Sequence, residues 1–306
     1  MTGTSIVTIT LNPAFDVHCQ VPDFESRREN LVESSIRNIG GKGINITRAL
    51  IENGIGNRAL AVLGEENGDG FLLGMKQCGI TDPAIITVAG RIRENITIHP
   101  ADGRETRISF KGFRADGEVL VRVSRLLDGF RGIVTFTGSV PEGITEEQTE
   151  EFLRTLKAGG AKIVIDSKSV PLDMLLRLSP WLIKPNSEEI FAYFGELDLE
   201  GTVNAAKELH GKGIDNALIS LGADGAVLAC GEGVYIARPP RIDAVSTIGA
   251  GDSMIAGFVG AADKPAENRL RIAVAYGSAA CLTEGTNPPR PGDVERIVGE
   301  VKIEKL

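Results

Sequence analysis

Short runs of β-branched and aliphatic residues alternate along this chain with stretches of helical periodicity. Six runs predict buried strands, at residues 6–11, 60–63, 133–137, 162–166, 181–184 and 217–221. Between most of them lie helical patterns, such as the apolar face formed by Phe152, Leu153 and Leu156. Strand, helix and strand in alternation predict a doubly wound α/β fold, a mostly parallel sheet with helices on both faces. A chain of 306 residues, 42% of them hydrophobic, can bury such a core as a single domain over residues 1–306.

Two segments break this rhythm. Residues 17–21, and residues 93–99 with 107–110, alternate polar and apolar side chains, and Asp102 and Gly103 are placed to turn a hairpin. They predict a small antiparallel sheet inserted into the α/β body at about residues 15–37 and 91–112. Such a sheet can serve as a lid over a site at the carboxyl ends of the parallel strands. The alternative is an edge hairpin with only a packing role.

Composition narrows the class of protein. The net charge is −8, and the basic residues are scattered among acidic ones, so we expect no nucleic-acid partner. No apolar run reaches about 18 residues and the first residues do not resemble a signal peptide, which favours a cytoplasmic protein without a membrane partner. The cysteines are isolated and predict reduced thiols: Cys19, Cys78, Cys230 and Cys281.

The sequence Gly-Ala-Gly-Asp at residues 249–252 carries a glycine-rich loop into an apolar helical pattern. Met254, Ile255 and Phe258 fall on one helical face, which places Asp252 in the first turn. That turn presents unpaired amides and about half a positive charge, and glycines let the backbone approach an anion. The pattern fits a loop that holds a transferring phosphoryl group while Asp252 accepts a proton from the attacking hydroxyl. The alternative is an aspartate that only caps its helix.

A second glycine-rich junction, Gly-Gly-Lys-Gly-Ile-Asn at residues 40–45, opens another predicted helix. Lys42 adds a positive charge, and Asn45 both donates and accepts hydrogen bonds, which suits a sugar hydroxyl or a phosphate. The spacing matches neither the P-loop nor the dinucleotide fingerprint. The first strand runs into Asn12 and Pro13, which argues against a Rossmann oxidoreductase.

Two further strand ends carry candidate nucleotide ligands. Residues 220–225 follow a predicted strand and can wrap phosphates or ribose, although a plain hairpin turn is the alternative. Asn186 and Glu189 lie three residues apart at a helix start that Pro185 fixes. An amide and a carboxylate so placed can hold hydrated Mg²⁺, and they can equally form a capping box.

Taken together, these loops resemble the ribokinase-like carbohydrate kinase family over roughly residues 5–300. Within it, Thr-Leu-Asn-Pro-Ala-Phe-Asp at residues 10–16 resembles the branch that acts on sugar phosphates. The resemblance implies an α/β domain with a β-sheet lid, ATP and Mg²⁺ as cofactors, and a homodimer formed through the lid. It implies ATP-dependent phosphorylation of fructose 1-phosphate, or of tagatose 6-phosphate or fructose 6-phosphate.

The resemblance also implies residue roles. Asp252 is the base, and the anion hole is Gly249, Ala250 and Gly251. The acceptor sugar contacts Asp16, Gly41, Lys42 and Asn45, with its existing phosphate near Arg93 and Ser139. The nucleotide lies along Ser220, Leu221, Gly222, Ala223, Asp224 and Gly225, with Thr247 and Gly251 nearby. The ATP phosphates and Mg²⁺ are governed by Lys184, Asn186 and Glu189, the last two holding the metal through water. Ser246 and Ile248 match the position of a K⁺ site in related enzymes.

This chain departs from that branch at two positions. Leu31 stands where the branch has a phosphate-binding arginine, and Arg27, Arg28 or Arg37 could substitute for that arginine. The sequence Lys-Gly-Phe at residues 111–113 replaces a Pro-Gly-Pro, and Lys111 can supply positive charge there. A kinase of an unphosphorylated sugar or nucleoside therefore stays an alternative. A sensor of sugar phosphates without catalysis is a further one, against which the retained Asp252 argues.

Overall fold

A ten-stranded sheet forms the centre of the protein. A computed structural model describes residues 5–306, so residues 1–4 of the expected domain lie outside the described residues. From edge to edge the strands are β14 (Lys302–Lys305), β13 (Gly233–Arg238), β12 (Ala226–Cys230), β11 (Asn216–Ser220), β10 (Leu182–Ile183), β9 (Lys162–Asp166), β8 (Ile133–Thr137), β1 (Ile6–Thr10), β4 (Arg58–Gly64) and β5 (Ala84–Val88). Every pairing from β11 to β5 is parallel, and β11 to β14 pair antiparallel.

Helices cover both faces of this sheet. They are α1 (Lys42–Glu52), α2 (Gly68–Gln77), α3 (Glu118–Leu126), α4 (Glu146–Ala158), α5 (Leu172–Leu178), α6 (Ser187–Phe194), α7 (Leu199–Gly211), α8 (Ala250–Gly260), α9 (Ala266–Ala280) and α10 (Pro291–Glu300). Successive side chains of a strand point to opposite faces. Ile6 accordingly packs with α8 and α9, whereas Val7 and Ile9 pack with α2 to α5. The predicted doubly wound α/β architecture is confirmed.

A separate four-stranded sheet has the order β3 (Ser34–Gly40), β2 (Ala14–Gln20), β6 (Arg93–His99) and β7 (Thr106–Ser109). The hairpin between β6 and β7 was predicted. The expectation of a wholly antiparallel sheet was wrong, because β2 pairs in parallel with β6. Along the chain β2 follows β1, and β6 follows β5. Because β1 and β5 run parallel in the large sheet, β2 and β6 leave its carboxyl edge in the same direction.

Some strands carry no clear signal in the sequence. The predicted run at residues 181–184 contains only the two-residue strand β10, while β3, β5 and β12 to β14 were not predicted.

The four cysteines form no disulfide, and two of them, Cys19 and Cys230, are buried. Within residues 5–306, none of the helices combines the length and the apolar character needed to cross a bilayer.

Candidate active site

A cavity of about 780 Å³ lies between the carboxyl ends of β1, β8, β9 and β10 and the small sheet. This edge is where open α/β sheets bind ligands. Nine buried side-chain N or O atoms in residues 5–306 lack a hydrogen-bond partner, and six of them belong to residues lining this cavity. The six residues are Thr10, Asn12, Asn45, Arg93, Asn95 and Thr137. Unpaired buried polar atoms are costly, so their concentration here indicates a site built for a polar ligand.

Asp252 lies at the cavity in the first turn of α8, as predicted. Gly249 precedes the helix at φ +79, a left-handed conformation that favours glycine. Within residues 5–306 the one hydrogen bond of the Asp252 side chain joins it to another helix, because its Oδ2 accepts a 2.8 Å bond from Asn45 Nδ2 of α1. The structure therefore does not support the alternative in which Asp252 only caps the helix.

Burial sets the acidity of Asp252, which is only 6% exposed. Loss of hydration raises its pKa, Lys42 and the Asn45 hydrogen bond oppose that rise, and the result is a pKa of about 6. The carboxylate is then ionised at neutral pH but still basic enough to accept a proton, which is the requirement for a general base.

Lys42 and Lys184 converge on a second buried carboxylate, Asp166 at the end of β9. Lys42 Nζ donates to Asp166 Oδ2 at 2.8 Å, and Lys184 Nζ lies 3.9 Å from the same oxygen. Burial lowers the pKa of Lys42, but Asp166 and Asp252 outweigh it and leave that pKa above its usual value. Sequence reasoning missed Asp166. The available signal was a carboxylate at the carboxyl end of a parallel strand, which places it at the ligand-binding edge.

The small sheet contributes Asp16, which faces the cavity from β2. Burial raises its pKa, and the hydrogen bond that Asn95 Nδ2 donates to Asp16 Oδ1 at 2.9 Å opposes that rise. Gly40 makes this approach possible, because a side chain there would overlap the Asp16 carboxylate. The glycine pair that ends β3 and opens α1 thus brings the small sheet close to the α1 junction.

Arg93 and Ser139 meet at one end of the cavity. Arg93 donates to the backbone oxygens of Phe110 and Asn12 at 3.2 and 3.3 Å and lies 3.5 Å from Ser139 Oγ. The Arg93 Nε is buried without a partner among the described residues. This guanidinium is held in place by backbone contacts and keeps a free donor, an arrangement suited to an anion.

Asn186 and Glu189 also line the cavity, and they form the capping box that was one of the two interpretations. The Asn186 side chain accepts from Glu189 N at 2.8 Å, and Glu189 accepts from Asn186 N at 3.0 Å. The box orients the carboxylate at the cavity wall without using all of its oxygen lone pairs.

The loop at residues 220–225 joins the antiparallel strands β11 and β12, so it is a hairpin connection. It does not line the cavity, although Ser220 pairs with Asn186 at the cavity edge. Ala250 is likewise absent from the lining, whereas Gly41, Thr247 and Gly251 belong to it with the other predicted residues already described. Ser246 Oγ contacts Ile248 N and Gly285 O at 3.2 and 3.4 Å.

A glycine turn at the N-terminus of α8 lies beside a buried carboxylate of raised pKa, two lysines and a polar face of the small sheet. Such an arrangement is typical of an enzyme that transfers a phosphoryl group to an alcohol. Comparison with known proteins narrows this class. Residues 10–292 match the pfkB family of carbohydrate kinases. This chain belongs to that family.

Relatives and solved structures agree with this assignment. The chain is 36% identical over 282 residues to the 1-phosphofructokinase of Escherichia coli K12, covering 90% of each protein. It is 30% identical over 310 residues to that of Bacillus subtilis, covering 98% of this chain and 100% of the relative. Phosphofructokinase-2 from Escherichia coli in complex with potassium has a TM-score of 0.91 at 24% identity, covering 97% of this chain and 98% of that one. The same enzyme is known in a tetrameric inhibited form, with a TM-score of 0.87.

Proposed function

We propose that this protein transfers the γ-phosphoryl group of ATP to a primary hydroxyl of a ketohexose phosphate, and that fructose 1-phosphate is converted to fructose 1,6-bisphosphate. The observation that carries the proposal is the buried Asp252 carboxylate, oriented by Asn45 at the glycine turn that opens α8. The 1-phosphofructokinase relatives support fructose 1-phosphate as the first candidate acceptor.

Asp252 would accept the proton of the attacking hydroxyl while the amides around Gly249 to Gly251 stabilise charge on the transferring group. The carboxylate is ionised at neutral pH, and Asn45 fixes its orientation before the substrate arrives. Phosphoryl transfer asks for little covalent chemistry from the protein, so positioning and charge neutralisation carry most of the catalysis.

Acceptor binding is assigned to the face of the cavity that includes the small sheet. Asp16 and the amide oxygens of Asn45 and Asn95 can hold sugar hydroxyls, because all three residues line the cavity and both amide oxygens are buried without a hydrogen-bond partner in residues 5–306. Arg93 and Ser139 then lie at the position proposed for the phosphate that the sugar already carries.

We assign ATP to the end of the cavity opposite the acceptor sugar. Its phosphates would lie toward Lys184 and its nucleoside along residues 220–225. Asn186 and Glu189 would hold hydrated Mg²⁺, since that ion keeps most of its waters and needs few protein oxygens. Their capping box fixes both side chains at the cavity wall and leaves lone pairs free. When bound, Mg²⁺ neutralises phosphate charge.

The small sheet is proposed to act as a lid that excludes water from the reaction. Its exposed apolar side chains Ile36, Ile108 and Phe110, each 45 to 60% exposed, suit a homodimer contact through this sheet. We also propose that Ser246 and Ile248 form a K⁺ site and that the protein is cytoplasmic.

A coupled assay of ADP release tests the assignment. The acceptors are fructose 1-phosphate, tagatose 6-phosphate, fructose 6-phosphate, free fructose and no sugar, and ³¹P NMR identifies the product. We expect the highest kcat/KM with fructose 1-phosphate and little ATP hydrolysis without a sugar. Turnover of free sugars alone would favour the alternative kinase, and no ADP release with any sugar would leave only a sensor.

A further inference from the structure

Three polar residues of α1 lie three positions apart, and each contacts a different part of the protein. Positions three apart are neighbours on a helix surface, so Lys42, Asn45 and Arg48 form one slanting row. Lys42 and Asn45 reach the two buried carboxylates of the candidate active site. Arg48 continues the row to residues 284–287, in the connection between α9 and α10. The helix that orients the proposed base is thereby attached to a further wall of the cavity.

Arg48 is a buried cation without an acidic partner. It is 9% exposed, and within residues 5–306 it forms no ion pair. Its Nη1 donates to Thr286 O at 3.3 Å, and its Nη2 donates to Asn287 Oδ1 at 3.2 Å. A buried charge that meets only neutral acceptors adds little net stability, because it loses its hydration. The contact is therefore better explained by what it positions.

The 284–287 segment has few other attachments. It forms neither helix nor strand, and within residues 5–306 no backbone hydrogen bond joins it to another element. Ser246 Oγ donates to one of its backbone oxygens at 3.4 Å, and Thr283 Oγ1 donates to another at 2.8 Å. Arg48 thus supplies two of the four hydrogen bonds that side chains outside the segment make to it in the described part of the chain.

Thr286 of this segment lies against the glycine turn that opens α8. A methyl group placed on Gly249 would lie 3.6 Å from Thr286 Cα, which is ordinary van der Waals contact, and both residues line the cavity. The residue that accepts a bond from Arg48 therefore also packs on the turn. A glycine restrains its own backbone less than any other residue, so the shape of the turn depends on such neighbours.

We propose that Arg48 is a positioning residue for phosphoryl transfer: it holds the 284–287 segment and so keeps the turn at residues 249–251 in the geometry that stabilises the transferring group. This inference rests on the proposed kinase function and holds for whichever sugar is the acceptor. Amide donors assist the transfer only when they are already aimed at the place where charge develops. Loss of Arg48 should therefore lower kcat more than the affinity for either substrate.

The test compares Arg48→Met with Arg269→Met, using ATP and the acceptor that the wild type turns over best. Arg269 is the matched control, because its side chain is 12% exposed and its guanidinium lies 5.5 Å from the ring centre of Phe258 in α8, yet it does not line the cavity. Arg48→Met should lower kcat about tenfold and change KM for ATP and for the sugar by less than about twofold. Arg269→Met should lower the thermal midpoint and keep kcat.

Two milder variants test the same contact. Arg48→Lys should recover part of kcat, because one donor and the charge return without the fork. Asn287→Ala removes one acceptor at an exposed position and should lower kcat about threefold, with no added loss when it is combined with Arg48→Met. If Arg48→Met does not fold, Asn287→Ala decides the matter, and an unchanged kcat in that variant overturns the inference.

The pH profile separates positioning from a direct effect of charge. The charges that act most on the pKa of Asp252 are those of Lys42, Asp166 and Lys184, so the acid limb of kcat/KM should stay in place in Arg48→Met. A limb that moves, an unchanged kcat, or an equal loss of kcat in Arg269→Met overturns this inference alone when the wild type is active. A wild type that phosphorylates no acceptor overturns the proposed function and this inference with it.

Discussion

Asp252→Asn should make the protein more stable at pH 8. Burial raises the pKa of this carboxyl from 3.8 to about 6, net of its attraction to Lys42 and its bond from Asn45. Such a shift means that the ionised form costs the folded state about 3 kcal/mol at pH 8. The introduced amide carries no charge and still offers an oxygen to Asn45 Nδ2, so most of that cost should disappear.

The stability difference between Asp252→Asn and the wild type grows with pH. Between about pH 4 and pH 6 the native protein binds more protons at this site than the unfolded chain, so wild-type stability falls as the pH rises through that window. The advantage of Asp252→Asn should be absent below about pH 4 and complete above about pH 7. For a chain of this size it corresponds to roughly 5 °C in the thermal midpoint.

Thermal unfolding of both proteins at pH 5, 6, 7 and 8, without ligands, measures this effect. Asp82→Asn is the matched control, because Asp82 is 90% exposed and the same change there removes a charge from water. A variant that is no more stable than the wild type at pH 8, or an advantage that does not shrink toward pH 5, would refute the reasoning.

Three further outcomes follow from the site. Because the ionised form of Asp252 is the active base, kcat/KM should be flat above its pKa of about 6 and fall about tenfold per pH unit below it. Asp166 raises the pKa of Asp252, so Asp166→Asn should move this acid limb to lower pH, and a limb that stays in place or moves up contradicts the coupling. Glu189→Gln should keep the helix start, since glutamine also completes a capping box, but raise the Mg²⁺ concentration for half-maximal rate about tenfold. The control is Glu188→Gln, because Glu188 is the exposed neighbouring residue. An equal rise in the Mg²⁺ requirement of both variants would show that Glu189 does not belong to the metal environment.

The parts of the fold that sequence predicts are those with a local signal. β8 and β9 are fully or mostly buried and read as continuous apolar runs, and the start of α8 has its glycine turn and apolar face. β3 has no such signal, because four of its residues are exposed and its pairing with β2 is decided by contacts distant in sequence.

The same distinction holds for the site. Asp252, Asn45 and Lys42 lie in recognisable glycine-rich turns, and the structure brings all three to one cavity. Asp166 has only its position at the end of a predicted strand as a signal, and Arg107 lies in ordinary strand sequence; the topology of the two sheets brings both to that cavity. The direction of a side chain at a strand end depends on register, which local composition does not determine.

The kinetic comparison of Asp252→Asn with the wild type tests the central claim most directly, using ATP and fructose 1-phosphate and measuring ADP release, with ATP and sugar binding followed by calorimetry. Removal of the base should lower kcat by at least about 10²-fold while both ligands bind nearly as before. Turnover close to that of the wild type would show that this carboxylate does not take the proton, and would contradict the account.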